Sequence, residues 1–227
     1  MKKTVSIIFL SLLIALTAGC SGCPGKGMYD DSISELREQF LYGENQRFEV
    51  TLIGGRRENP FEIDGKCGET CDYSLVTVKP KSAVAYSSLK VTIADGDGAE
   101  VSGEALKHPY KDEFYFETAS RLPDGVTVTL EYGDGHAEIP LSSVRKEGET
   151  AWNAALDIAL DTLEEALKTY SVNGKFSGEI YVRYIKNPLA DDGKYYWYVA
   201  FVPAAKPDLS IAALLDAATG EVMATRK

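Results

Sequence analysis

The 227-residue sequence is poor in histidine, the side chain that most often acts in general acid–base catalysis, with only His108 and His136. So few imidazoles leave little room for a histidine-based metal site or a proton-transfer site. The G-x-S-x-G, H-E-x-x-H and P-loop patterns are also absent, and each of them is the sequence signature of a class of enzyme. These absences favour a protein without catalytic activity, metal ion or cofactor. An enzyme would need a site assembled across a domain boundary.

Positive charge is also in deficit. The chain has 24 lysines and arginines against 34 aspartates and glutamates, a formal net charge of -10. A protein that binds nucleic acid needs surplus lysine and arginine to displace counterions from the phosphates, so this balance argues against a nucleic-acid partner. The hydrophobic fraction of 44% and the charged fraction of 26% are ordinary for a globular protein.

The longest apolar run, residues 5–16, is too short to span a bilayer of about 30 Å. It follows Lys2 and Lys3, a layout that is typical of a secretory signal peptide. The run ends in Leu16-Thr17-Ala18-Gly19-Cys20, which resembles the lipobox of bacterial lipoproteins. This resemblance implies that residues 1–19 are removed and that Cys20 carries a diacylglycerol thioether. The alternative is an ordinary signal peptide with an incidental cysteine.

A lipidated Cys20 would anchor the protein to the cell membrane on its extracytoplasmic face. The membrane is then one partner, reached through the N-terminal lipid. We assign residues 20–45 to the anchor, a glycine-containing tether and a short helix. Ser32 and Glu35 fit a capping box, and the apolar residues of this segment share one helical face: Ile33, Leu36, Phe40 and Leu41.

Cys67 and Cys71 lie close together in the segment Cys67-Gly68-Glu69-Thr70-Cys71. Outside the cytoplasm disulfides persist, so a disulfide between these two residues is the favoured interpretation. Two free thiols, a zinc site completed by a histidine, and a redox-active pair are the alternatives. The spacing differs from the C-x-x-C of thioredoxin-like enzymes.

Residues 46–147 carry a period-2 pattern of short β-branched and aromatic runs separated by glycine, proline and aspartate. The predicted strands are Arg47–Ile53, Ser74–Lys79, Ser88–Ala94, Glu113–Thr118, Val126–Tyr132 and His136–Leu141. Six short strands without an intervening helix indicate an immunoglobulin-like β-sandwich. The overall fold class expected is therefore mainly β, with an α+β region after the sandwich.

Residues 148–227 form that second predicted domain. A long amphipathic helix is expected over Thr150–Tyr170. Four strands are predicted after it: Glu179–Ile185, Lys194–Phe201, Ala212–Asp216 and Glu221–Thr225. A helix followed by an antiparallel meander covers one sheet face and leaves the other open.

The closing segment Asp216-Ala217-Ala218-Thr219-Gly220-Glu221-Val222 resembles the end of PepSY-type domains. These are small extracellular modules with a helix packed on an antiparallel sheet, found in protease propeptides and bacterial envelope proteins. The resemblance covers roughly the last 75 residues and implies binding or inhibition of peptidases, with no catalytic residue. The same residues also make a good hairpin turn, which is the purely structural interpretation.

The aromatic run Tyr195-Tyr196-Trp197-Tyr198 supplies the candidate binding face, together with Tyr181 and Arg183 on the preceding strand. Successive residues of a strand point to opposite faces, so only one half of the run can lie under the helix. The other half would be free to bind an envelope protein or a peptide. Cross-strand pairing that merely stabilises the sheet is the alternative.

The function favoured by the sequence is thus that of a membrane-anchored, extracytoplasmic lipoprotein that binds a protein or peptide, with regulation of a peptidase as one form of this function. The alternative is a structural or assembly protein of the envelope without a small-molecule ligand.

Overall fold

The computed structural model describes residues 29–227 except positions 97, 99, 134, 189 and 191. The predicted signal peptide, Cys20 and most of the predicted tether lie outside the described residues. Residues 31–227 form one compact unit. The boundary predicted between residues 147 and 148 falls inside this unit and stays a prediction.

The described residues are mainly β with a single α-helix, which confirms the coarse fold class. After a 3₁₀ turn at Asp30–Ser32 come β1 (Ile33–Glu44), β2 (Phe48–Glu58), β3 (Thr70–Pro80), β4 (Ser88–Ala94), β5 (Glu100–Lys107), β6 (Phe114–Thr118), β7 (Thr127–Tyr132), β8 (Gly135–Pro140), β9 (Ser142–Ser143), α1 (Trp152–Lys168), β10 (Ser171–Val172), β11 (Lys175–Phe176), β12 (Gly178–Lys186), β13 (Tyr195–Pro203), β14 (Ile211–Asp216) and β15 (Val222–Arg226).

Thirteen of these strands form one mixed sheet. Its order is β15-β14-β13-β12-β1-β2-β3-β6-β5-β4-β7-β8, and β9 pairs with β1. Strands β10 and β11 form a separate two-stranded sheet. Strand β1 joins the N-terminal and C-terminal strands, because it pairs with β2 in antiparallel fashion and with β12 in parallel.

The short helix predicted near the start of this region is wrong: the segment is strand β1. Two register shifts explain the error, one between Ile33 and Glu35 and one between Arg37 and Gln39. Each shift interrupts the alternation of faces, so the buried residues fall at mixed spacings that imitate a helical stripe. Hydrogen bonds to neighbours on both sides then favour the strand.

All ten predicted strands are present, and their observed ends differ from the predicted ends by a few residues. Strand β5 was not predicted from the sequence. This strand contains one β-branched residue, Val101, and no aromatic residue, and only its Ala105 is buried. The strand is held by its pairing with β4 over residues 100–106, which is a tertiary effect.

Strands β1–β8 enclose a large hydrophobic cluster. It contains Leu41, Phe48, Val50, Leu52, Val76, Val78, Leu89, Val91, Ile93, Ala105, Phe114, Leu122, Val126, Val128, Leu130, Ile139 and Leu141. The alternation predicted for these strands accounts for this set, since residues two apart share the inner face. Strand β9 follows β8 in the chain and pairs with β1, where Leu41 lies opposite Ser143. The series of strands from β1 to β9 therefore ends beside the strand with which it began.

Helix α1 lies inside the predicted helical segment and packs on β13 and β14. Its buried residues are spaced by one, three or four positions, as an amphipathic helix requires: Ala155, Leu156, Ala159, Leu163 and Leu167. The helix therefore covers one face of the C-terminal strands.

Candidate functional site

Five neighbouring strands, β13-β12-β1-β2-β3, place two rows of residues side by side on one face of the sheet. The first row contains Tyr198, Arg183, Arg37, Gly55 and Tyr73, each the register partner of the next. The second row contains Ala200, Tyr181, Glu35, Arg57 and Cys71. We call the surface formed by these two rows the arginine face.

A buried carboxylate organises the arginine face. Glu35 is only 1% exposed. Arg37 donates from Nε and Nη2 to Glu35 Oε1 at 3.0 and 2.8 Å. Arg183 donates from Nε and Nη2 to Oε2, both at 2.6 Å, and the Tyr73 hydroxyl donates to Oε1 at 2.5 Å. The carboxylate is thus satisfied by side chains from three different strands.

The ionisation of Glu35 follows from these contacts. Burial raises the pKa of this carboxyl, but the charges of Arg37 and Arg183 and the hydrogen bonds from Tyr73 and Arg37 outweigh burial, and the pKa lies below its ordinary value. Burial and the nearby carboxylate raise the pKa of Tyr73. Glu35 is therefore an anion and Tyr73 a neutral phenol at neutral pH.

The guanidinium groups of the face stack on aromatic rings. Arg183 lies 4.6 Å from the ring centre of Tyr181, and Arg57 lies 4.5 Å from that of Tyr73. The side chains of Arg37 and Arg183 are each 23% exposed, and that of Arg57 is 22% exposed. Stacking and ion pairing fix these groups in position while part of each stays accessible to solvent.

The loop between β2 and β3, residues 59–69, folds over one end of this surface. Phe61 meets Tyr181 edge-to-face at 6.1 Å, and the Tyr181 hydroxyl donates to the Glu62 carbonyl at 3.4 Å. The Gly65 amide donates to Glu179 Oε1 at 2.9 Å. The backbone approaches so closely here that a Cβ on Gly65 would lie 2.7 Å from Ala204 Cα.

Glu179 is a second fully buried carboxylate, and the Ser34 hydroxyl donates to its Oε2 at 2.9 Å. Burial raises the pKa of Tyr181, and its hydrogen bond with Glu179 acts in the same direction. The loop and the strand beneath it are therefore joined by satisfied polar contacts as well as by rings.

Cys67 and Cys71 are both half-buried free thiols in the structure. Cys71 lies on β3 opposite Arg57, and Cys67 lies in the β2–β3 loop. Burial raises the pKa of the Cys67 thiol, and the charges of Glu58 and Glu179 add to this effect, while a hydrogen bond with Ser34 opposes it. A thiol of raised pKa is a poor nucleophile. The disulfide predicted between the two cysteines stays a prediction.

The aromatic run divides between the two faces by alternation. Tyr195 and Trp197 lie on the side of Tyr184: Tyr195 stacks on Tyr184 at 5.3 Å, and Trp197 meets it edge-on at 5.2 Å. Trp197 is fully buried and donates from Nε1 to the Thr150 carbonyl, just before α1. This half of the run is part of the packing beneath the helix.

The other half lies on the arginine face. Tyr198 is half-buried and is the register partner of Arg183. Tyr196 is 6% exposed and Tyr181 is 3% exposed, so neither presents a free ring. The partly accessible members of the predicted set are therefore Arg183 and Tyr198 on this face and Tyr195 on the opposite face.

Sequence reasoning missed Glu35, Arg37, Arg57 and Tyr73. Glu35 and Arg37 are two residues apart, the spacing of one strand face, but the segment was interpreted as a helix. Arg57 lies beyond the predicted end of its strand. No local pattern links Glu35 to Arg183, which is 148 residues away.

The arginines and aromatic rings of the arginine face can bind a ligand through charge and ring stacking. Within the described part of the chain, no three histidine, cysteine, aspartate or glutamate side chains are placed to hold a metal ion. No helix among those same residues is long and apolar enough to cross a bilayer. The accessible chemistry of the face is that of arginine N–H donors beside a tyrosine.

No family model, curated protein or solved structure matches this chain.

Proposed function

We propose that the protein is a lipid-anchored, extracytoplasmic binding protein without catalytic activity, which recognises a protein or peptide through the arginine face. The observation that carries this proposal is the accessible fraction of Arg37, Arg57 and Arg183 on one face of a chain whose net charge is -10. Fixed guanidinium groups beside an aromatic ring are typical of interaction surfaces.

The anchor proposal rests on the signal sequence and on Cys20. A Cys20→Ala substitution removes the thiol that would carry the lipid, so the chain should lose a metabolically incorporated fatty-acid probe. Cys23→Ala is the matched control, because it removes a thiol three residues away and should leave the label in place. Undiminished label in Cys20→Ala would overturn the anchor.

The binding proposal is tested by site-specific photo-crosslinking in cells that produce the protein. A photoreactive phenylalanine analogue replaces Tyr198 on the arginine face. The matched control replaces Tyr110, which is 92% exposed in the β5–β6 loop and lies off that face. We expect a discrete adduct from position 198 and none of the same mass from position 110.

Adding Arg57→Gln to the Tyr198 reporter should reduce the adduct, because it removes one accessible guanidinium and leaves the Glu35 contacts intact. Arg57 pairs with Glu117, whose side chain is 48% exposed and can return to water. The same adduct from both reporter positions, or none from position 198, would contradict binding through this face.

A structural or assembly role is the second candidate function. It is favoured by the burial of Tyr181, Tyr196 and Trp197, since rings that pack inside the sheet stabilise it without a partner. In that case the chain would act as a spacer in the envelope, and position 198 would give no adduct.

The finer fold description is also a proposal. A helix packed on the antiparallel strands β12–β15 supports a PepSY-like domain, and with it a peptidase as one kind of partner. The core enclosed by β1–β8 supports a sandwich of immunoglobulin type. An experimental structure of the whole chain is the test of both descriptions.

A further inference from the structure

Arg37 and Arg183 are direct register partners on the adjacent parallel strands β1 and β12. Like charges side by side on neighbouring strands are destabilising. Glu35 lies between the two guanidinium groups and contributes one negative charge to two positive charges. Among the ion pairs that Arg37 and Arg183 form, Glu35 therefore neutralises only one of their two positive charges.

The two arginines also keep unused donors. Each one contacts Glu35 through Nε and Nη2. Among the described residues neither Nη1 has an acceptor, and each guanidinium can donate two N–H bonds from that nitrogen. Since both side chains are 23% exposed, these donors are accessible from the solvent side of the sheet.

A half-buried tyrosine and a buried glycine lie beside this pair. Tyr198 flanks Arg183, and Gly55 flanks Arg37 without any side chain. A Cβ on Gly55 would lie 1.9 Å from the Leu36 carbonyl oxygen, so the close strand approach excludes a side chain at this position next to Arg37. The accessible groups of this face lie on neighbouring strands, an arrangement that suits an extended segment better than a small molecule, which binds in a concave pocket.

We propose that Arg37 and Arg183 together bind a side-chain carboxylate of an acidic peptide segment, with Glu35 as the positioning residue that holds both guanidinium groups. This inference rests on the proposed function and specifies its partner. The argument for the occupant is charge complementarity: two fixed guanidinium groups share one carboxylate and can bind a second one by charge-assisted hydrogen bonds.

The test measures binding of a fluorescein-labelled hexaglutamate peptide to the full chain by fluorescence anisotropy, with hexaglutamine as the uncharged control peptide. We expect saturable binding of hexaglutamate that weakens as salt is added, and none of hexaglutamine. Absence of hexaglutamate binding at low salt would overturn the proposal. A crosslink at Tyr198 combined with that result would leave the proposed function standing.

The decisive comparison is Tyr198→Glu with Tyr198→Gln, which differ only in charge. Glutamate at this position places a carboxylate beside Arg183 within the same chain, so it should weaken peptide binding by about tenfold more than glutamine does. Tyr198→Gln reports the loss of the ring alone. Equal affinities for the two variants would contradict a site at this arginine pair.

Arg183→Gln should abolish binding, but it also leaves Glu35 with fewer partners and can impair folding. The Tyr198 pair avoids that difficulty because it leaves every contact of Glu35 in place. Lys90→Gln on β4 is the control for net charge, since Lys90 is exposed and pairs with Glu131 away from the arginine face. An equal loss in Lys90→Gln and Tyr198→Glu would show a non-specific charge effect and overturn the proposal.

Discussion

At the scale of single residues, Glu35 is a buried carboxylate that joins side chains from three strands. A buried carboxylate is costly unless it is paired and hydrogen-bonded. Here Arg37, Arg183 and Tyr73 satisfy it, and they come from β1, β12 and β3. The cost of burial is thereby offset only when all three strands are in register, so this one group couples distant parts of the chain.

Glu35→Gln should lower the free energy of unfolding at pH 7 by about 1.5–3 kcal/mol, the usual value of hydrogen bonds to a charged group. The pKa of Glu35 lies below its ordinary value of 4.5 in the folded protein. Its contribution is therefore present above that value and is lost as pH falls through the folded pKa. Urea unfolding of wild type and variant at several pH values should show a difference that shrinks below pH 4.5.

The control for this prediction is Glu117→Gln. Glu117 is an exposed carboxylate paired with Arg57, and surface pairs contribute about 0–1 kcal/mol. The free energies of unfolding of wild type and Glu35→Gln could instead differ by a constant amount down to pH about 2. That result would contradict a stabilising Glu35 carboxylate, because its contribution must disappear once the group is protonated.

At the scale of elements, β1 and β15 occupy opposite situations in the same sheet. Strand β1 has β2 on one side and β12 on the other, and β9 pairs with its C-terminal end. Strand β15 is the last strand of the sheet and pairs only with β14 among the described strands. Its residues are largely exposed, and its register shifts at Leu214 and Leu215, as is common in edge strands.

Amide hydrogen exchange should therefore differ sharply between the edge and the centre. We expect the amides of β15 to exchange at least about 100-fold faster than those of β12, because edge strands open locally while central strands open only with the whole fold. Exchange measured by mass spectrometry at low protein concentration checks this. Equal protection of β15 and β12 would mean that another strand covers the edge.

At the scale of the whole molecule, residues 31–227 form one compact unit in which a single sheet runs from β8 to β15. The N-terminal strands enclose their own core, and α1 covers the C-terminal strands. The join between them is the parallel pairing of β1 with β12, reinforced by the contacts of Glu35 with Arg183. Both tryptophans lie in the C-terminal part, which makes them reporters of that part alone.

Unfolding in urea should occur in one transition. Leu52→Ala removes a fully buried side chain from the N-terminal core and should lower the free energy of unfolding by about 2–5 kcal/mol. The shift should be equal in far-ultraviolet circular dichroism and in tryptophan fluorescence. Leu106→Ala at a 62% exposed position is the control, with a change of about 0.5 kcal/mol at most.

If Leu52→Ala shifts the dichroism and leaves the tryptophan transition unchanged, the N-terminal and C-terminal parts unfold independently. That outcome would contradict a single cooperative unit and would favour the domain boundary predicted between residues 147 and 148.

Helix α1 and most strands were predictable from local patterns, because a period of 3.6 or a run of β-branched and aromatic residues is visible within each segment. Ser88–Ala94 alternates cleanly and was predicted with its observed bounds, and the helix was predicted within two residues at each end. The alternation within Tyr195–Tyr198 also assigned each aromatic to the correct face relative to its neighbours. These features depend on residues that are close in the sequence.

The identity of β1 and the composition of the arginine face were decided by tertiary structure. The bulges of β1 hide its alternation, and only pairing with β2 and β12 makes it a strand. Glu35 meets Arg183 across 148 residues and Tyr73 across 38. Strand order determines such contacts, and a local pattern carries no information about strand order, because the same alternation is compatible with any neighbour in the sheet.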